Sequence, residues 1–294
     1  MRTRRPEPVT AARLLLTFVG LAWLALILLL PLLAIFAQAL AKGWGAYIAA
    51  VTSSEALDAI RLTLLSALIA VPANLVFGLA AAWAITKFEF RGRTLLLALI
   101  DLPFSVSPVI GGLVFVLLYG AHGWLGPWLA AHDVQIIFAK PGIVLATIFV
   151  TLPFVVRELV PLMQVQTTAR EEAAFSLGAS GWQIFRHVTL PNVRWALLYG
   201  LILCTARAMG EFGAASVVAG SIRGRTVTLP LHVEIVFNEY DAVAAFACAT
   251  LLTITALVTL VLKTVLDARE RRTAHVELAS GQLITAATPA GSRA

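Results

Sequence analysis

Arg207 and Glu211 stand four residues apart in the apolar run "ALLYGLILCTARAMGEFGAASVVAG", a spacing that puts two side chains on one face of a helix. A charge inside a membrane costs about 2.5 kcal/mol or more on insertion scales, so each must face a partner, a cavity or water. Two readings stand side by side: a neutralising pair within the helix, and a gate or pathway position at which the arginine favours an anion. Ala206, Gly210 and Ala214 recur at the same spacing and permit close approach of another helix, either a packed neighbour or a partner across a pathway. Upstream, "LLLALIDLPFSVSPVIGGLVF" interrupts its own helix with Pro103, Pro108, Gly111 and Gly112. Freed carbonyls and the Ser105 and Ser107 hydroxyls suit the wall of a water-filled route; a kinked, merely packed helix reads equally well. Asp101 reads as a capping or interhelix partner, since it would repel an anion.

Other chemistries lack their residues. The sequence holds no GxxxxGK[ST] phosphate-binding loop and no HExxH motif. His122, His132, His187, His232 and His275 fall in loops or the tail, so an intramembrane enzyme finds no base within a span. Cys204 and Cys248, the two cysteines, each lie in an apolar stretch as packing residues, without metal-ligand spacing. No metal site and no cofactor are expected on this chain.

The elements that must hold these residues are membrane spans. Of 294 residues 60% are hydrophobic and 13% charged, against about 25% charged in a soluble domain. Mean hydropathy is +0.89. Six stretches have the roughly 20 apolar residues that a spanning helix needs: about 14–38, 58–86, 95–119, 141–163, 195–218 and 242–266. The fold class is therefore all-α integral membrane. Sixteen of the 22 Lys and Arg, Arg157 counted among them as a loop residue, collect on the face that carries both termini, and four on the other. The positive-inside rule makes that face cytoplasmic, and it explains the net charge of +6 without nucleic acid. The third loop carries Trp124 and Trp128 at the external interface, where an interfacial helix fits. From Ala268 the chain turns small and polar with little to bury, and the expectation is disorder over about the last 20 residues. The domain expectation is 1–54 for the N-terminal segment, first span and external loop, 55–266 for the membrane core, and 267–294 for a flexible cytoplasmic tail.

Between the fourth and fifth stretches lies "REEAAFSLGASGWQIFRHVTLP", residues 170–191, too polar to span. Thr168 with Glu171, and Ser180 with Gln183, match the capping box, and Gly178 suits a left-handed helix end. Pro191 is expected to stop the helix. Two short helices over about 168–188 follow, offering Ala173, Ala174, Leu177, Trp182 and Phe185 for burial beside Glu172 and Arg186. Such a segment either docks into a groove on a soluble partner or rests on lipid headgroups.

Glu172, Ala173, Ala174, Gly178, Leu190 and Pro191 resemble the EAA signature of ABC importer permeases: Glu-Ala-Ala, three residues, Gly, nine residues, an aliphatic (Val188), one residue, Leu-Pro. The resemblance runs from about Glu55 to Leu266 and implies a type I, MetI-like permease of six spans in a bacterial cytoplasmic membrane. It implies that the EAA segment is a coupling helix seated on a homodimeric cytoplasmic ATPase, which holds the ATP and Mg. "TARAMGEFGAASVVAGSIRGRTVTLPLHVEI" is similar to the CysW-type permeases of sulfate/thiosulfate importers, although its "GEFGA" core is shared with molybdate permeases. That likeness implies a second, CysT-type permease and an extracytoplasmic sulfate-binding protein. Arg223 and Arg225 then either attract a dianion or contact the binding protein, or are solvated loop charges. A molybdate or tungstate permease is the nearest alternative; a passive anion channel would leave Glu172 no docking task.

Overall fold

A computed structural model describes the backbone of residues 11–166 and 169–287, and side chains over 14–166, 169–266 and at 268. Among the described residues the regular structure is entirely helical. The order is α1 (Ala11–Ala39), α2 (Gly43–Val51), α3 (Ser54–Lys87), α4 (Arg93–Ser105), α5 (Pro108–Tyr119), α6 (Gly126–Ala131) and α7 (Lys140–Val165). It continues through α8 (Ala169–Ser176), α9 (Gly181–Ile184), a π-turn (Phe185–Thr189), α10 (Leu190–Met209), α11 (Gly213–Val218), α12 (Leu229–Asn238) and α13 (Ala242–Ala287).

Five helical stretches are long and apolar enough to cross a membrane: Leu14–Ala39, Ser54–Lys87, Lys140–Val165, Gly181–Met209 and Ala242–Leu266. The sixth expected span, 95–119, is a bent pair, with α4 and α5 meeting at 112°. Pro108 opens α5 and forces Ser107 into extended backbone, which ends α4 at Ser105. The local chemistry of α3 is legible at both ends. Ser53 caps it by accepting from the Ala56 amide at 3.3 Å, Glu55 sits in the first turn and Lys87 in the last, as the helix dipole favours.

The main core lies where α3, α4, α7 and α10 meet, around Val71, Ile85, Ile100, Val155, Leu159 and Val193. Two glycines let the backbones close in. A Cβ on Gly78 of α3 would stand 2.7 Å from Val155 Cγ1, and one on Gly200 of α10 would stand 3.2 Å from Val155 Cα. One turn away the fully buried Asn74 donates to Thr151 Oγ1 at 2.7 Å and to the Ile148 carbonyl at 3.1 Å, tying α3 to α7. The outer faces carry Leu, Ile, Val and Phe, as a lipid-facing surface requires.

Several expectations need correction. The fifth span does not run over 195–218: α10 stops at Met209 and residues 213–218 form the separate α11, because the chain breaks at Gly210–Phe212. Pro191 does not stop a helix. It sits in the first turn of α10, where a missing N–H costs nothing, and the π-turn before it absorbs the change of register. The small-residue stripe is likewise not one helix face. Gly210 falls in the break, and Ala214 packs on Gly112 of α5 within this chain. Arg157 is no loop residue but lies inside α7. The backbone also stays helical past Ala268, to Ala287. Its Ala, Arg, Glu and Leu are good helix formers, and a helix extended from α13 needs no new nucleus. The helix in the third loop is α6, which carries Trp128, with Trp124 just before it. Thr168, Arg2, Arg4, Arg5 and the side chains of the C-terminal arginines lie outside the described residues.

Gly78→Ala should destabilise the protein by about 1–3 kcal/mol, because the rigid Val155 has no flexible end to move aside. Gly45→Ala, whose Cβ meets nothing within 4 Å, should cost nothing or stabilise slightly. Thermal unfolding of both variants in detergent checks the difference.

Candidate coupling segment and candidate pathway

The segment at 169–191 is two helices at a sharp corner. Gly178 has φ +84°, and its amide donates to the Phe175 carbonyl while the Ala179 amide reaches back to Ala174, the pairing of a Schellman end. The capping box that follows is complete. The Gln183 side chain accepts from the Ser180 amide at 2.7 Å, and Ser180 Oγ accepts from the Gln183 amide at 3.4 Å. Glu172 and Ala173 face outward, Ala174 is half-buried, and Phe175, Leu177 and Trp182 are 72%, 89% and 68% exposed. Leu190 is half-buried and Pro191 exposed at the start of α10. Phe185 turns inward instead, stacking on Trp182 at 5.6 Å and meeting Trp83 of α3 at 5.4 Å.

What holds this corner to the membrane helices is Glu171, which the sequence suggested only as a cap for Thr168. One oxygen pairs with Lys87 Nζ at 2.8 Å and the other accepts from the buried Thr189 hydroxyl at 2.8 Å. Arg170 Nη1 donates to Asn192 Oδ1 at 3.2 Å, and Gln166 Nε2 donates to the Asn192 carbonyl at 3.2 Å. A cavity of about 500 Å³ opens between Trp83, Lys87, Glu171, Glu172, Phe175 and Ile184. A lysine closing a span and a glutamate opening the next polar segment were the readable signals; their pairing depends on how α3 and α8 are packed.

Inside the membrane the two breaks coincide. A cavity of about 250 Å³ is lined by Ser105, Ser107, Pro103, Pro108, Phe154 and Arg207. The structure thus brings Arg207 to the Ser105 and Ser107 hydroxyls, two features singled out separately in the sequence. Arg207 Nη1 meets Glu211 Oε2 at 2.6 Å; the arginine is 29% exposed toward the cavity and the glutamate 2%. Glu211 lies beyond the end of α10, and its other oxygen accepts from the Ala214 amide at 2.8 Å, capping α11. Gly210 is open, with only the Ala206 carbonyl near it.

At the opposite end Arg223 is a clasp. Its guanidinium donates to Glu239 and to Glu55 at 3.1 Å, fastening the loop after α11 to α3 and α12. The Glu239 carboxylate first, and Glu55 second, hold Arg223 above the ordinary arginine range. His232, buried in α12 beneath this clasp, is pushed below its usual range by desolvation, against the pull of Glu55. Arg225 stands apart from the clasp. With Lys140, Gln135 and Thr226 it lines a pocket of about 330 Å³.

A multi-pass bundle with a polar corner at one end and a broken-span cavity within the membrane defines a membrane transport component. Residues 74–272 match the family model described as binding-protein-dependent transport system inner membrane component. The chain belongs to that family, a non-catalytic, multi-pass component of the inner membrane. It is 55% identical to the sulfate transport system permease protein CysW of Escherichia coli K12 over 90% of each chain. Against the Synechocystis protein of that name it is 53% identical, over 89% of this chain and 94% of the other. The CysT permease protein of E. coli K12 is 40% identical over 79% of this chain and 84% of that one. A crystal structure of a bacterial ABC transporter that imports alginate superposes with TM-score 0.73, covering 90% of this chain and 98% of the other at 17% identity, a likeness of fold.

Glu171→Lys or Lys87→Glu alone should each lower stability by about 1–3 kcal/mol, and the double exchange should recover most of it, in thermal unfolding of the purified protein. Arg207→Leu should cost about 3–5 kcal/mol by stranding Glu211, and Arg207→Leu/Glu211→Leu should regain much of that in the same assay.

Proposed function

We propose that the chain is one permease subunit of an ATP-driven importer of sulfate and thiosulfate. A CysT-type permease forms the other half of the pathway, a homodimeric ATPase with its ATP and Mg binds inside, and an extracytoplasmic sulfate-binding protein delivers substrate. The observation that carries this reading is the continuity of one rigid element. The exposed corner around Glu172 leads through the π-turn straight into α10, and α10 ends at the Arg207 cavity. A push on the corner therefore reaches the breaks in both interrupted spans. The 55% likeness to CysW over 90% of each chain supports the oxyanion. CysW and CysT relatives support a pair of unlike permeases. A relative of the same fold is known in complex with a substrate-bound periplasmic protein, which supports delivery from outside.

The Lys and Arg bias supports cytoplasmic termini and a cytoplasmic corner. There Glu172, Ala173, Ala174 and Gly178 contact the ATPase, with Phe175, Leu177 and Trp182 as apolar anchors and Leu190 and Pro191 opening α10. Arg207, Glu211, Gly210, Ser105 and Ser107 form the pathway or gate. Arg223 spends its charge on Glu55 and Glu239, so the external anion or binding-protein contact falls chiefly on Arg225.

Proteoliposomes containing all four kinds of subunit should accumulate labelled sulfate on ATP, with thiosulfate competing and molybdate competing weakly. Transport of molybdate in place of sulfate would overturn the substrate and leave the architecture. Glu172→Lys should abolish uptake by weakening ATPase binding, seen as loss of the ATPase on co-purification; full uptake with an intact complex would remove Glu172 from coupling.

A further inference from the structure

Arg157 is a membrane charge for which the pathway just described has no use. It lies eight residues inside the Val165 end of α7, about 12 Å along the axis, and 56% of its side chain is exposed. Asp101, eight residues inside the start of α4, accepts from Arg157 Nε at 2.9 Å and is 44% exposed. The same stretch of α4 exposes the apolar side chains of Leu99, Leu102 and Phe104. An ion pair at this depth cannot stand in hydrocarbon without a large penalty, so water or protein covers this face in the assembled transporter.

The geometry favours water. The Arg157 guanidinium lies 4.3 Å over the Phe104 ring, and that ring packs edge-on against Phe154 at 5.1 Å. Both rings line the cavity that Arg207 lines. Arg157 therefore sits behind the Phe104–Phe154 wall of the cavity that Arg207 lines, next to the Ser105–Pro108 break. The two arginines differ in depth. Arg207 is seventeen residues from the Leu190 end of α10, about 26 Å, and the Gln166–Asn192 hydrogen bond places that end beside the Val165 end of α7. Asp101 engages only Nε, so among the described residues the two terminal nitrogens of Arg157 are unengaged, the fork that binds an oxyanion.

We propose that Arg157, held by Asp101, is a second anion station in the translocation pathway, about 13 Å nearer the coupling corner than Arg207. Its ligand is the same tetrahedral oxyanion dianion, so the proposal rests on the anion-importer reading. Asp101 serves a purpose in this arrangement. A lone guanidinium in a low-dielectric passage would hold a dianion too tightly to release it, whereas one already half-neutralised binds it briefly and lets it go. Arg207 with Glu211 behind it repeats the device.

The test uses the complete transporter in proteoliposomes. In a Cys204→Ala/Cys248→Ala background that retains uptake, Arg157→Cys is exposed to anionic sulfonatoethyl methanethiosulfonate from the ATPase side, with and without sulfate. Labelling is expected without nucleotide, slowed by sulfate. A thiol that stays unreactive in every nucleotide state would place the residue against protein or lipid and overturn the proposal. Arg157→Gln should lower uptake at least about tenfold, the loss of one charge-assisted contact, while the complex still hydrolyses ATP; Arg157→Lys should recover part of it. Asp101→Asn should lower the maximal rate and KM together, because the station then holds its anion longer. If Arg157→Gln fails to assemble, Asp101→Asn/Arg157→Gln removes the stranded charge, and wild-type uptake in either variant refutes the station. Should the wild-type carry molybdate instead of sulfate, the labelling experiment with molybdate still decides the role of Arg157.

Discussion

Three helices meet at Val155, and the bundle is set by how closely they meet there. Between helices in lipid there is little hydrophobic drive, so close packing and buried hydrogen bonds must supply the association. Gly78 and Gly200 remove the side chains that would hold α3 and α10 away from Val155, and Asn74 and Thr151 add a hydrogen bond one turn further on. With that register fixed, the other placements follow along rigid rods. Lys87, nine residues beyond Gly78, comes beside Glu171. Arg157, two residues beyond Val155, turns toward α4. Arg207, two turns beyond Gly200, reaches the break in the third span.

Charge in this protein marks the joints. Lys87 and Glu171 bind the polar corner to α3, Asp101 and Arg157 bind α4 to α7, Arg207 and Glu211 bridge the gap after α10, and Arg223 ties the outer loop to Glu55 and Glu239. Each of these four spans a place where a helix ends or two elements touch; Arg61 and Asp58, three residues apart and exposed on α3, are a pair within one helix. That distribution is what the cost of an unpaired charge in hydrocarbon selects. The pairs also differ in what they leave open. Lys87 and Glu171 are 13% and 20% exposed and act as a fixed strut, whereas Arg157 and Arg207 keep part of the guanidinium toward open space.

Much of this was legible in the sequence, for reasons that differ from residue to residue. Spans announce themselves by length and hydropathy, and caps by local chemistry: Ser180 with Gln183 and Gly178 in the left-handed region formed as their side chains dictate. The Ser105–Ser107 pair and Arg207 were legible apart, as polar groups in apolar runs, but their meeting in one cavity depends on α4, α7 and α10 together. Pro191 misled because proline stops a helix only from within; in a first turn it is harmless, and a π-turn leaves no local signature to anticipate. Arg157 misled because a cation near a loop is ordinarily a loop cation, and its partner Asp101 is 56 residues away. The tail misled because polar composition was weighed above helix propensity.

The two interrupted spans are also what turns a rigid bundle into a device. Gly213 stands against Pro108, where an added Cβ would lie 2.9 Å from the ring, and Gly112 stands as close to the Ala214 carbonyl, so α11 and α5 are locked together by backbone contact. The helices that lead into the two breaks end elsewhere, α10 at Gly210–Phe212 and α4 at Val106–Ser107. On the proposed coupling role, a displacement entering at the Glu172 corner would travel along α10 as a body, because Glu171, Lys87, Thr189 and Asn192 tie its base to the neighbouring helices. It must be absorbed where the backbone is free to turn, between that rod and the locked α5–α11 pair. The Arg207 cavity lies on this boundary, lined by the Ser105 and Ser107 hydroxyls and a guanidinium, and on the proposed pathway role its opening is what would change an anion's access.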